Sequence, residues 1–397
     1  MKIPSIAEID IKEKKIFIRA DLDVPVDKSG VAGEVWKIER ILPTVRYALQ
    51  QKAKVILAAH MGKPGGKVVR RYSLEAVGAE LSRALGCEIY FPEDSVGDAV
   101  KKVSVDMPAG SVMLLENLDF HKKELEDNID YAKKLAEIAD IYVNEAFTVS
   151  NQKRASLSAI TGFFNTVCVG LSFKNEIENL GKLAKPDRPF TAVIGGRCTP
   201  LRLALMEKLM DSVDSFLLGG AVGNLFLKTL GKETGRSDID QSMIYNAKKL
   251  ISSSATRGIR FIVPVDLVTV RGDLKNDSPS YIISDNNIPT GSTTVDIGPE
   301  TRAQFANNIS GARTVFWNGP LGVCEEPGFF EGSRAVADAI AESDAWGAVT
   351  GRDTAQIVHD MAVEGRVGYV SRSGEAAVEY IINGTLPAIT ALEERIK

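Results

Sequence analysis

Short apolar runs that stop abruptly at glycine, proline, asparagine or aspartate recur along this chain, and between them apolar residues return at helical spacing. The runs predict strands at Lys15–Arg19, Lys54–Ala58, Glu88–Phe91, Ser111–Leu115 and Asp140–Val143, then at Phe190–Ile194, Ser215–Leu218, Arg260–Val263, Val315–Trp317, Ala348–Val349 and Tyr369–Ser371. Helices are predicted over Ile41–Gln51, where Ile41, Leu42, Val45 and Leu49 share a face, and over Leu74–Leu85, Ile129–Ala139, Phe173–Leu183, Pro200–Met210, Thr354–Met361 and Ala376–Ile382. Strand and helix alternate in both halves, the pattern of doubly wound parallel sheets. The stretch Ala184 to Pro189 interrupts the alternation, and a length of 397 residues suits about two domains. The predicted class is α/β, with one domain over 1–172, a linking helix and hinge over 173–188, and a second domain over 189–375.

Open parallel sheets bind ligands at the carboxyl ends of their strands, so the residues where the runs stop are the candidate chemistry. Val315–Trp317 ends in Asn318-Gly319-Pro320-Leu321-Gly322, followed by Glu325, a carboxylate suited to gripping a ribose. Gly195-Gly196, Gly219-Gly220 and Thr350-Gly351 end three other runs, and together these turns read as a nucleotide cradle. Pro200 suits the first turn of a helix, and a glycine pair leading into a helix N-terminus favours phosphate, because free N–H groups and the helix dipole both face the anion. No G-x-x-x-x-G-K-[ST] loop is present. Asp353 is either the N-cap of the helix that follows or a magnesium ligand beside the phosphates. In the first half, Asp21 and Asp23 lie in a segment kept extended by Pro25, and are either turn caps or a ligand-facing pair. His60-Met61-Gly62-Lys63-Pro64 is a basic loop at a strand end, an anion site in one reading and a structural histidine in the other.

Charge and cysteine content narrow this little. The net charge of −4, without a block of like charges, gives no nucleic-acid footprint. Four scattered cysteines with no C-x-x-C, no long apolar run and no secretory start lead to the expectation of a cytoplasmic protein with reduced thiols, away from membranes.

The stretches R-A-D-L-D-V-P (19–25), H-M-G-K-P (60–64), L-L-E-N-L-D-F-H (114–121), V-N-E-A-F (143–147), V-P-V-D (263–266), D-I-G-P-E-T (296–301) and W-N-G-P-L-G-V (317–323) occur in the order, and over the span, of phosphoglycerate kinase, which the chain resembles. The resemblance implies two Rossmann-like domains joined by a helix, with the segment 376–397 returning to the first domain. It also implies a monomer that binds a carboxylic acid acceptor in the first domain and magnesium with ATP or ADP in the second, with hinge closure for in-line transfer. Carried over by motif, the acceptor residues are Asp21, Asp23, Lys37, His60, Lys63, Asp119, Gln152 and Arg154. The nucleotide residues are Gly195, Gly196, Arg202, Gly219, Gly220, Asn318, Pro320, Glu325, Gly351, Asp353 and Thr354, with Asp353 as metal ligand. Catalytic charge falls to Lys37, Arg197, Arg202 and Arg352.

Several of those positions depart from the family pattern. Asp23 stands for asparagine; Lys37, Lys63, Asp119 and Gln152 stand for arginine; Asn151 and Arg154 stand for histidine. The family's G-G-A-K is Gly195-Gly196-Arg197-Cys198, its G-G-G-D is Thr350-Gly351-Arg352-Asp353, and its T-G-G-G-A is Arg372-Ser373-Gly374-Glu375-Ala376. A charge-assisted hydrogen bond contributes on the order of 1.5–3 kcal/mol, so losing two arginines and gaining Asp119 lowers affinity for a phosphate dianion roughly a thousandfold. The expectation is an ATP-dependent phosphotransferase that forms an acyl phosphate on a carboxylic acid other than 3-phosphoglycerate. The alternatives are a catalytically silent paralogue that binds nucleotide or a protein partner, and a weak genuine phosphoglycerate kinase.

Overall fold

The computed structural model describes residues 3–24, 33, 36–237, 239–272, 279–284, 287–326 and 328–396. Pro25, which the sequence assigns to an extended segment, lies outside them. The chain divides into two compact units, Met1–Glu178 with Thr385–Lys397, and Asn179–Gly384.

The first unit is built on β1 (Lys15–Arg19), β2 (Lys54–Ala58), β3 (Ile89–Tyr90), β4 (Val112–Leu114), β5 (Ile141–Asn144) and β6 (Thr166–Val169), all parallel, in the order β3-β4-β2-β1-β5-β6. β1 is the switch point, flanked by β2 on one side and β5 on the other, so that Ile18 sits between Leu57 and Val143. The helix Trp36–Gln50 starts five residues before the predicted Ile41, because Ile38 continues the buried stripe of Ile41, Leu42 and Val45 back by one turn. β6 was not predicted from the short run Thr-Val-Cys-Val, yet Cys168 and Val169 are wholly buried.

The second unit carries β7 (Phe190–Ile194), β8 (Ser215–Leu218), β9 (Arg260–Ile262), β10 (Leu267–Arg271), β11 (Ser280–Ile283), β12 (Ser292–Ile297), β13 (Thr314–Asn318), β14 (Trp346–Thr350) and β15 (Gly368–Ser371). Six of them form a parallel sheet in the order β15-β14-β13-β7-β8-β9, the strand order of dinucleotide-binding folds, with its switch point between β7 and β13. Alternation along the strands buries both faces. Phe190, Ala192, Ile194, Phe216 and Leu218 pack with Leu205, Met206 and Phe226 on one side. Val193, Leu217, Val315, Trp317 and Val349 pack with Phe305, Val336 and Val358 on the other.

A separate antiparallel sheet, β11-β10-β12, was not foreseen. β11 is largely exposed and gives no apolar alternation to read. Two boundaries also move. The helix Gly374–Asn383 packs on the helix Pro200–Leu209 and places Val378 in the second unit's core, so the segment belonging to the first unit begins at Thr385, not at 376. From there Ala388 joins Ala146, Val149 and Leu157, and Arg395 donates to the Phe164 carbonyl at 2.6 Å. The helix predicted over Phe173–Leu183 spans Leu171–Gly181, and the division falls within it, after Glu178. Among the described residues no helix is long and apolar enough to cross a membrane.

Candidate functional site

The switch point of the second unit opens into a cavity of about 610 Å³. The first turns of four helices border it: Pro200–Leu209, Gly220–Thr229, Arg352–Asp360 and Gly374–Asn383. Each points the positive end of its dipole at the cavity, an arrangement that suits an anion. Gly319 lies here with φ +91°, where a Cβ would come within 2.4 Å of the Gly195 carbonyl oxygen. Only glycine allows the β7 and β13 turns to approach so closely.

Of the nucleotide residues proposed from sequence, Gly196, Arg202, Gly220, Asn318, Pro320, Glu325, Gly351, Asp353 and Thr354 line this cavity, together with Arg197 and Arg352. Gly195 and Gly219 do not; they stand behind its wall, where a Cβ would lie 2.2 Å from the Pro320 carbonyl oxygen and 2.6 Å from the Leu321 side chain. Asn318 does not hold its amide open. Its Nδ2 donates to Thr350 Oγ1 at 2.9 Å and its Oδ1 accepts from Arg202 Nε at 3.0 Å, so it aims the guanidinium. Thr354 is buried, and its hydroxyl accepts the Gly319 N–H at 2.9 Å. Asp353 is not the N-cap: Gly351 holds that position with φ +98°, and Asp353 is exposed in the first helical turn. Burial lowers the pKa of Arg202. Arg372 pairs with Glu364 and is not among the cavity residues. Cys198 is a packing thiol 3.5 Å from Met243 Sδ, pushed up to about 11 by burial.

The first unit's switch point is arranged differently. Arg19 is wholly buried; its Nε donates to Ser156 Oγ at 2.8 Å and its Nη2 to His60 Nδ1 at 3.2 Å. Because a guanidinium only donates, His60 Nδ1 accepts and the ring is neutral; burial, then the Arg19 charge, lowers its pKa to about 3. Ser156 passes the network to Glu124, whose carboxylate accepts the Ser156 N–H at 2.9 Å. Arg154 is held by an ion pair with Asp119 and by Gln152 Oε1, which accepts its Nε at 2.8 Å. The Arg154 and Asp119 side chains are only 12% and 4% exposed. Burial raises the pKa of Asp119 despite Arg154 and Arg19. It also works against the Asp21 carboxylate, yet its neighbours His60 and Lys37 and the Thr148 hydroxyl, which donates at 2.6 Å, more than offset it and lower its pKa. Asp23 Oδ1 accepts the Gly62 N–H at 2.8 Å, while Lys37 Nζ donates to the Asp23 carbonyl. Lys63 is exposed.

A model of the family described as phosphoglycerate kinase matches residues 6–384. The chain is 39% identical to the phosphoglycerate kinase of Geotalea uraniireducens over 396 residues, covering 99% of each. It is 36% identical to that of Moorella thermoacetica over 392 residues, covering 98% of this chain and 99% of the other. The solved phosphoglycerate kinase structure from Coxiella burnetii superposes with a TM-score of 0.91 at 32% identity over 100% of both chains. That from Pyrococcus horikoshii gives 0.84 at 25% identity over 99% of both. The chain belongs to the phosphoglycerate kinase family.

Several phosphoglycerate kinase motifs act here as couplings between elements. Glu116 of L-L-E-N accepts the Leu74 N–H at 2.9 Å and the Ser73 hydroxyl at 2.7 Å, anchoring the start of the helix Glu75–Leu85. Glu145 of V-N-E-A-F accepts the Ser172 and Phe173 N–H groups at 3.0 and 2.9 Å, so a wholly internal carboxylate caps the helix Leu171–Gly181. Asp266 of V-P-V-D accepts the Glu300 and Thr301 N–H groups at 3.0 and 2.8 Å, tying that motif to G-P-E-T at the start of the helix Pro299–Ser310. Sequence reasoning left these carboxylates without a role. An acid at a strand end, followed elsewhere by a helix start lacking its own side-chain cap, was the available signal.

Proposed function

We propose that this chain transfers the terminal phosphoryl group of ATP, as its magnesium complex, to a carboxylate, and that the acceptor carries less negative charge than a phosphorylated acid. An acceptor carboxylate oxygen forms the new bond to phosphorus while the bond to ADP breaks, giving an acyl phosphate. The cavity of the second unit fits the nucleotide, since it combines four helix N-termini with Arg202, Arg197 and Arg352. Among the described residues no group of three acidic, histidine or cysteine side chains is placed to cage a metal. This suits magnesium, which takes one or two carboxylates plus substrate phosphates; Asp353 is the carboxylate that would hold it, and the ion would neutralise charge on the transferred group. Arg202, aimed by Asn318, would steady the phosphoryl oxygens.

The acceptor reading rests on one observation: the Arg154 guanidinium is engaged by Asp119 and Gln152. His60 adds no charge near neutral pH, and Asp21 and Asp23 bring two carboxylates beside Lys37. The test is release of ADP from Mg-ATP across a panel of unphosphorylated carboxylic acids, amino acids included, with 3-phosphoglycerate alongside. Turnover with a member of the panel exceeding that with 3-phosphoglycerate is expected. Turnover with 3-phosphoglycerate alone would favour the second reading, a phosphoglycerate kinase in the ordinary sense, which the likeness over the whole chain supports.

A further inference from the structure

Arg19 is the last residue of β1, in register with Ala58 at the end of β2, and His60 follows two residues beyond that. With no exposed surface, Arg19 cannot touch a ligand itself. Its guanidinium is spent on three protein partners: Nε on Ser156 Oγ, Nη1 on the Ala20 carbonyl and Nη2 on His60 Nδ1. Ser156 is held in turn by Glu124, which accepts both its N–H and its hydroxyl. A planar fork fixed at three points leaves the imidazole little choice of orientation. The other end of the ring is free. His60 Nε2 has no partner among the described residues and is not sealed from solvent. A neutral imidazole carries one N–H, so a lone pair on Nδ1 puts the proton on Nε2.

We propose that Arg19 is a positioning residue: by donating to Nδ1 it fixes the His60 proton on Nε2, so that the ring offers an uncharged donor and takes an oxygen lone pair of the acceptor, from a carboxylate or a hydroxyl, in preference to an ammonium. The opposite tautomer would offer a lone pair and reverse that choice. Burial and then Arg19 oppose a second proton on the ring, as do Arg154 and Lys37, and only Asp21 favours it. The inference rests on the reading above that an acceptor meets this strand end.

The experiment is nitrogen-15 NMR of the imidazoles in the whole chain, which tells the Nδ1–H, Nε2–H and imidazolium forms apart. The chain has three histidines, so His121→Gln with His359→Gln leaves His60 alone in the spectrum. A single Nε2–H form is expected, unchanged from pH 8 down to pH 5. An Nδ1–H ring, or imidazolium forming above pH 5, would overturn the proposal. Arg19→Met is then combined with Glu124→Gln, so that no internal carboxylate loses its cation, and is expected to admit the Nδ1–H form or imidazolium within that range. An unchanged spectrum from the folded variant would overturn the role given to Arg19, and if the variant does not fold, the spectrum with Arg19 present decides. No acceptor is added, so absence of turnover across the acid panel would sink the acceptor reading without altering the tautomer result.

Discussion

The two units place the carboxyl ends of parallel strands around a switch point, and there they differ. In the second unit the turns after β7 and β13 leave a cavity of about 610 Å³ with arginines on its wall. In the first, the pocket lined by Asp21, Lys37 and Thr148 measures about 10 Å³, room for about one water; its Arg40 pairs with Glu176, and Arg19 and Arg154 elsewhere in the unit are likewise bound by the protein's own acceptors. One fold plan thus supports an open site, with arginines and carboxylates both on its wall, and one whose charges are largely paired within the protein. The fold establishes where a ligand can go, and the side chains at the strand ends decide what it is.

The sharpest way to break this contrast is to unpair the first unit. Asp119→Ala leaves the mostly enclosed Arg154 guanidinium without its counter-charge, and is expected to cost about 3 kcal/mol of unfolding free energy in urea titrations. The double variant with Arg154→Met is expected to recover much of that, which a simple packing defect at 119 would not allow. In the second unit, Arg202→Gln is expected to weaken Mg-ATP binding by roughly tenfold to a hundredfold, the worth of one charge-assisted bond, with little change in stability. An unaltered dissociation constant would mean that Arg202 serves Asn318 alone.

Asp296 sharpens the comparison, because the second unit also holds an internal carboxylate, with backbone partners only. Burial raises its pKa to about 6, although the Gly332 and Ile297 N–H groups donate to it at 2.8 Å. Its folded pKa exceeds its unfolded value, so its contribution is fully present below pH 4 and is lost as pH rises through 6. The stability of wild type relative to Asp296→Asn is expected to rise by on the order of 2 kcal/mol between pH 7 and pH 4; a flat difference would contradict this. The smallest effect belongs to Arg197, exposed at the rim: Arg197→Gln is expected to change Mg-ATP affinity by less than about threefold at physiological salt.

Most strands were legible because their signal is local. Phe190–Ile194 and Lys54–Ala58 are bounded by turns and rich in branched or aromatic residues, and no distant contact is needed to see them. β11 was illegible because its outward residues, Tyr281 and Ile282, carry no alternation. At the strand ends of the second unit, the glycines announced a cradle, but their spacing offered no way to separate Gly319, whose φ of +91° shapes the turn and which lines the cavity, from Gly195, which stands behind the wall. The strand ends of the first unit were hardest. Asp119 and Arg154 are 35 residues apart, and their departures from the family pattern looked like independent losses until the ion pair joined them. The substituted positions compensate one another, a relation carried by tertiary contact and invisible to spacing.

The account depends on the charge left over at the first unit's switch point, and calorimetric titration of the wild type with 3-phosphoglycerate at low salt addresses it directly. With Arg154 held by Asp119, a dissociation constant of about 1 mM or weaker is predicted, a binding free energy of only about −4 kcal/mol. A constant in the low micromolar range would contradict it.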